Sequence, residues 1–144
     1  MLLGVMALVL ASLFTGAAAY ISLVEHPVRF RLDDLNALAQ WKPSYERALP
    51  IQAGLAMLGG CAGLVVWYLS GNWQWLVGGI TLLANWPFSI WGILPTNKIL
   101  KSVQANEAGP VSRTLLIRWG RLHNVRTILG AVAMLLFACG LLTP

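Results

Sequence analysis

The sequence predicts an all-α integral membrane protein: an antiparallel four-helix bundle with short interfacial helices in its first and third loops. Three observations carry that reading. Apolar residues make up 58 % of the 144-residue chain and charged residues only 10 %, against roughly 25 % charged in an ordinary soluble domain. Residues 1–24, 48–97 and 127–144 carry no charged side chain at all, and a bilayer span needs about 20 apolar residues. The cations, Arg126 apart, fall in two segments between the apolar runs. That pattern orients a membrane protein; it is not the basic face that grips nucleic acid. Residues 1–144 read as one four-span domain.

The first span covers about Leu2 to Val24. Its "GAAAY" (16–20) resembles a signal-peptide cleavage site, but no basic residue precedes Arg29, so the segment reads as a retained span. Span 2 covers about Pro50 to Leu69, and "SGNW" (70–73) turns the chain tightly into span 3. Span 3 covers about Trp73 to Leu94 and is closed by Pro95; span 4 covers about Leu122 to Leu142. Pro87 lies near the middle of span 3, where its missing N–H predicts a kink. Gly59-x-x-x-Gly63, Ala7, Ala11 and Gly16 supply small surfaces for close helix approach. "DDLNALAQW" (33–41) and "VSRTLLIRWGRLH" (111–123) carry apolar residues at helical spacing and read as the interfacial helices. Cys61 and Cys139 form no C-x-x-C and read as packing residues.

Charge then sets the orientation. Loop 1 (25–49) holds Arg29, Arg31, Lys42 and Arg47; loop 3 (97–121) holds Lys98, Lys101, Arg113, Arg118 and Arg121. The 2–3 turn and both termini hold no Lys or Arg. The positive-inside rule places loops 1 and 3 in the cytoplasm and the termini outside. Trp67, Tyr68, Trp73 and Trp75 flank the 2–3 turn as an outer aromatic belt would.

Polar side chains converge at the cytoplasmic end. Glu25 and His26 end span 1, Gln52 opens span 2, Asn97 and Lys98 end span 3, and His123, Asn124 and Arg126 open span 4. His123 and Arg126, three residues apart, share a helix face. Gly130 continues that face and leaves room beside it. Asn85 is a mid-span amide that needs partners, and Trp86 lies too deep for a belt. Ionisable groups in spans mark functional sites. Structural roles compete: a Glu25–Arg126 ion pair, an Arg126 that snorkels, an Asn85 and Trp86 that stitch helices. His26, His123 and Glu25 also form a candidate two-histidine, one-carboxylate set for iron or another transition metal. Neighbours on a helix point about 100° apart, so that set closes only if the helix ends at Pro27.

"YISLVEHPVR" (20–29), "NWPFSIWGILPTNKIL" (85–100) and "RWGRLHNVRT" (118–127) resemble signature segments of the anthrone oxygenase family of small four-span membrane proteins. The resemblance covers nearly the whole chain. It implies oxidation of an anthrone to an anthraquinone by molecular oxygen, without a cofactor. The family-like positions are Glu25, His26, Asn85, Trp86, Pro87, Asn97, Trp119, His123 and Arg126. The compact loops fit bacterial members, which implies a bacterial inner membrane and leaves the substrate open among anthrone-like and quinol-like lipid-soluble aromatics. The implied partners are the bilayer, that substrate and oxygen. A neutral histidine can remove the acidic C–H of an anthrone, and donors in a dry pocket can stabilise the oxyanion that results. His123 is the first candidate base and His26 the second, with Glu25 and Arg126 completing the catalytic set. Arg126, Asn85 and Asn97 would polarise the carbonyl; Trp86 would stack on the rings, and Trp119 would contact the substrate. Two other classes stay open: a small-molecule carrier gated by Glu25–Arg126, and a structural membrane subunit.

Overall fold

The computed structural model describes residues 1–143. Four long helices make up the fold: α1 (Leu2–Arg29), α2 (Asp34–Ser70), α3 (Trp73–Ser102) and α4 (Pro110–Leu142). A 3₁₀ turn, Ala105–Glu107, links the last two. No strand occurs among the described residues. Each helix is long and apolar enough to cross a membrane. The outward faces are apolar too: Leu23, Tyr68, Trp91 and Ile128 are exposed, the build of an integral membrane protein rather than of a water-soluble one.

Local chemistry fixes the ends. Asp33 caps α2: its Oδ1 accepts from the Asn36 N–H at 2.8 Å and its Oδ2 from the Asn36 Nδ2 at 2.8 Å. Those bonds, the backbone one first, hold the Asp33 carboxyl below its ordinary pKa. Gly71 takes the left-handed conformation, φ 72°, that ends α2. Asn72 then caps α3, its Oδ1 accepting from the Gln74 N–H at 3.0 Å.

The helices outrun the apolar runs. The segment 33–41, expected as a short interfacial helix, is continuous with α2; 111–123 runs on into the fourth span, as its pattern suggests, but the helix is capped at Gly109 rather than at Ser112. An α-helix satisfies its own backbone, so nothing obliges it to stop where hydropathy falls. Pro43 and Pro50 sit inside α2. Pro95 does not close α3; it stands in the first turn of an α-helical segment, Leu94–Ser102. A π-helical turn, Ser89–Ile93, precedes it. Helix α1 repeats the device: π-helical Ile21–Glu25 precedes Pro27 in His26–Arg29. A π turn already breaks the i→i−4 ladder, so the proline's missing N–H costs little there. The disruption expected from Pro87 is a break at Ala84, from which the short segment Asn85–Phe88 starts.

Helix α1 packs on α2 and α4, and α3 packs on the same two. One end of the bundle is built on small residues around large rings. Ala7 and Ala11 are buried there, Gly59 meets Leu10, Ala11 and Leu82, and the Phe137 ring lies where a Cβ on Gly63 or Gly78 would go. Trp75 stacks on Phe137 at 5.0 Å and is 3 % exposed. It is therefore core, whereas Trp67, Tyr68 and Trp73 are exposed. A Cβ on Gly16 would meet nothing within 4 Å, so no close helix approach depends on it. Both cysteines are exposed and free, so neither is a packing residue. The opposite end is aromatic, with Trp41 and Trp119 among Leu38, Leu100 and Leu116.

Candidate functional site

A cavity of about 360 Å³ opens between α2, α3 and α4, within the ~300–1,000 Å³ range of small-molecule sites. Helix α3 supplies Asn85 and Trp86 from just beyond its break, Ser89, Ile90 and Ile93 from its π turn, and Asn97 from beyond Pro95. Helix α2 adds Tyr45, Leu49 and Ala53; α4 adds Trp119 and Arg126. The irregular backbone of α3 thus aims three turns of side chains at one space.

The walls are mainly apolar, and the polar atoms among them are specific. The Trp86 Nε1–H donates to the Ala53 carbonyl at 3.2 Å, which fixes its ring. The Asn85 Nδ2 donates to the Leu82 carbonyl at 3.0 Å, and the Asn97 Nδ2 to the Tyr45 hydroxyl at 3.0 Å. The Oδ1 atoms of both asparagines, Arg126 Nε and Trp119 Nε1 are buried without a hydrogen-bond partner. Such atoms are scarce in folded proteins because each costs desolvation, and here four belong to one cavity's lining. Arg126 is 7 % exposed, its guanidinium lies 5.6 Å from the Phe14 ring centroid, and it pairs with no carboxylate among the described residues. The room expected beside Gly130 is filled by Phe14 and Thr15.

His123 lines a second, small cavity that shares Tyr45, Leu49, Trp119 and Arg126 with the first. Its ring stacks on Trp119 at 4.9 Å and is 2 % exposed. Its Nδ1 lies 3.1 Å from Ser22 Oγ, which lies 2.9 Å from Thr127 Oγ1. The Thr127 hydroxyl donates to the His123 carbonyl at 3.4 Å. A carbonyl only accepts, so this last bond sets the direction of the chain. Thr127 accepts from Ser22, Ser22 accepts from Nδ1–H, and the Nε2 lone pair is left free.

Glu25 and His26 form a different cluster, behind Trp119. The Arg29 Nη2 donates to Glu25 Oε1 at 2.7 Å, and Arg29 Nη1 lies 2.8 Å from His26 Nδ1. The Gln40 Nε2 donates to the same carboxylate oxygen at 3.2 Å; the Ser44 hydroxyl also donates to it, and the Arg29 Nε donates to Gln40 Oε1. His26 packs against Phe30 at 4.8 Å and Trp119 at 5.2 Å. Neither Glu25 nor His26 lines either cavity.

Several expectations are corrected here. Glu25 pairs with Arg29, not Arg126, so the pair proposed as a structural bridge or a gate is absent. Glu25, His26 and His123 do not assemble as a metal set: Arg29 faces both Glu25 and His26 Nδ1, placing a guanidinium where a cation would have to sit. No group of three or more His, Cys, Asp or Glu among the described residues could hold a metal. The asparagines turn their donors into the protein and keep only acceptors free. Asn85, Trp86, Asn97, Trp119 and Arg126 do meet in one cavity, with His123 next door. Sequence reading missed Arg29, Tyr45, Ser22 and Thr127; the i, i+4 spacings Glu25–Arg29 and His123–Thr127 were the available signal.

The family model described as anthrone oxygenase matches residues 41–136. The chain is similar to a protein named anthrone oxygenase dmxR16 from Cryptosporiopsis sp. (strain 8999): 29 % identical over 143 residues, covering 92 % of this chain and 82 % of that protein. No solved structure matches.

Proposed function

The chain belongs to the anthrone oxygenase family, and on that premise we propose that it is a membrane-embedded, cofactor-independent oxygenase. Its substrate is a flat, lipid-soluble aromatic ketone of the anthrone type, or a related quinol, and its co-substrate is dioxygen. The reading rests on one observation above all: a mainly apolar cavity of about 360 Å³ is lined by a buried guanidinium with no acidic partner among the described residues. A buried charge of that kind calls for an anion, and the deprotonated substrate is one.

The residues divide the work. His123 Nε2 takes the acidic C–H proton, and the charge moves onto the substrate oxygen. The positive charge of Arg126, which borders both cavities, stabilises that oxygen in a site with little water to compete. The Oδ1 atoms of Asn85 and Asn97 accept from ring hydroxyls. Trp86, fixed through Ala53, stacks on the rings. Oxygen adds to the electron-rich carbon to give a hydroperoxide. Loss of the second C–H proton then breaks the O–O bond. The balance is anthrone plus O₂ giving anthraquinone plus water, with no outside reductant.

In this reading the bundle is antiparallel, with loops 1 and 3 cytoplasmic and the termini outside, and a bacterial inner membrane is the setting. Trp86 and Ile90 line the cavity and are also exposed on the apolar outer face, so substrate enters sideways from lipid. The test is oxygen uptake by purified protein in nanodiscs with anthrone, alongside quinone formation. His123→Ala should lower kcat by about 100-fold or more, the scale of general-base catalysis. Uptake unchanged in that variant would remove His123 as the base, and no quinone from the unaltered protein would remove the oxygenase reading.

A further inference from the structure

The small cavity beside His123 measures about 20 Å³, room for one water-sized or diatomic molecule, since about 10–15 Å³ holds a water. Four of its lining side chains carry buried polar atoms without partners: Trp41 Nε1, Gln52 Nε2, Trp119 Nε1 and Arg126 Nε. Each residue is at least nine-tenths buried. All four atoms are N–H donors, and none has an acceptor. A group that satisfies them is small and carries lone pairs or negative charge. Arg29 also lines this space, its charge already matched by Glu25, so Arg126 supplies the net positive field.

We propose that this cavity is a dioxygen site, which holds the molecule beside the aromatic cavity and stabilises it as it is reduced. The inference rests on the oxygenase reading and gives its second substrate a place. Tyr45, Leu49, Trp119 and Arg126 line both cavities, so oxygen here lies one side-chain layer from the bound ring system. Neutral dioxygen gains little from the donors. Once the substrate anion passes it one electron, the superoxide formed gains from all four, which lowers the cost of the transfer. The two radicals then join in a C–O bond as a peroxide anion, which takes a proton to become the hydroperoxide; the base removes the remaining C–H proton, the O–O bond breaks, and the departing hydroxide takes a proton to leave as water. The substrate carbon is oxidised from CH₂ to C=O. One oxygen atom stays in the product and the other leaves as water.

Two variants and one probe test this. Gln52→Leu deletes one donor. Gln52→Glu keeps the side-chain shape and puts a carboxylate opposite Arg126, closing the site to anions. The probe is azide, a small anion, followed by calorimetry and as an inhibitor against varied oxygen. We expect azide to bind the unaltered protein and to compete with oxygen but not with anthrone. It should not bind Gln52→Glu. In Gln52→Leu kcat/KM for oxygen should fall about tenfold, the effect of losing one hydrogen bond to a charged partner, with the KM for anthrone unchanged. Anthrone oxidation with an unaltered kcat/KM for oxygen in both variants, or no azide binding to the unaltered protein, overturns the dioxygen site and leaves the oxygenase reading standing. Azide binding abolished in Gln52→Glu, but with no anthrone oxidised by any form, supports the donor site and removes the oxygenase reading instead.

Discussion

Arg29 carries more of the polar architecture than any residue the sequence singled out. It holds Glu25, His26 and Gln40 at once, and its side chain is 1 % exposed against 20 % for Glu25. Breaking a fully buried pair costs about 3–5 kcal/mol; the partial exposure of Glu25 lowers the expected cost of Arg29→Met to about 2 kcal/mol. Unfolding in mixed micelles, followed by tryptophan fluorescence, should show a Glu25→Gln/Arg29→Met coupling above about 1 kcal/mol, and a Glu25→Gln/Arg126→Met coupling within about 0.5 kcal/mol of zero. The reverse ranking would restore the pairing read from sequence. Thr127 makes a second residue-scale prediction. Thr127→Val removes the hydroxyl that orients Ser22, so nitrogen NMR of labelled histidine should show His123 losing its Nδ1–H preference. Activity should fall on the order of tenfold, well short of the ~10⁴ lost when a triad aspartate that sets a tautomer is changed, and Thr127→Ser should keep both. A tautomer unmoved by Thr127→Val would break the argument from hydrogen-bond direction. At this scale Asn85, Asn97 and Arg126 were legible because amides and guanidinium are conspicuous in apolar runs. Arg29 was not, because the apolar run of the first span stopped at about Val24 and made its guanidinium look like a loop cation.

The two π turns explain that misreading and carry a prediction of their own. A π turn holds one residue more than the α-helix would, and so rotates everything after it. In α3 that rotation sets Asn97 against Tyr45, beside the cavity that Asn85 and Trp86 enter from above the turn. Deleting Gly92 and changing Pro95→Ala restores a plain helix without stranding a proline inside it. The segment beyond should swing by about 100°, breaking the Asn97–Tyr45 bond. Circular dichroism should show helix content kept, while anthrone oxidation is lost. Oxidation retained would mean that the turn does not position the site. The start of α2 gives a gentler prediction. The Asp33 carboxyl is held below its ordinary pKa by its Asn36 bonds. The cap's stabilisation is therefore present above the unfolded carboxyl pKa and is lost as pH falls through the lower folded value. Protection of the Asn36 amide relative to its intrinsic exchange rate should fall on acidification through that lower value, and at neutral pH in Asp33→Ala. Equal exchange in the variant would mean the cap is idle. Hydropathy located the apolar runs but not the helix ends, because α2 and α4 continue as polar helix for several turns.

For the molecule as a whole, composition settled four helices, and it could not settle where the void between them lies. That depends on which faces meet. Small residues let the four helices close tightly around Phe14 and Phe137, with Gly130 against one ring and Gly63 and Gly78 against the other. At the other end Trp41, Tyr45 and Trp119 stack or meet edge-on and hold the helices apart. Both arrangements arise from contacts remote in sequence, so the cavity was legible only as a convergence of polar residues at one end. Orientation is the remaining whole-molecule inference, and it is argued from charge. Lys98 and Lys101 stand near the end of α3 and Arg113 near the start of α4, and the turn at Ser70–Trp73 has no cation, so the orientation proposed above, with the site end cytoplasmic, is the one that translocates no cation. Ser70 and Ser102, both exposed, bracket α3. In a background with Cys61 and Cys139 changed to serine, Ser102→Cys should react with an impermeant maleimide only in inside-out vesicles. Ser70→Cys should react only in spheroplasts. Labelling of both from one side would mean that α3 does not cross, and the antiparallel arrangement would fall. The opposite sidedness for both would keep the crossing and turn the site to the outer leaflet, against the charge argument.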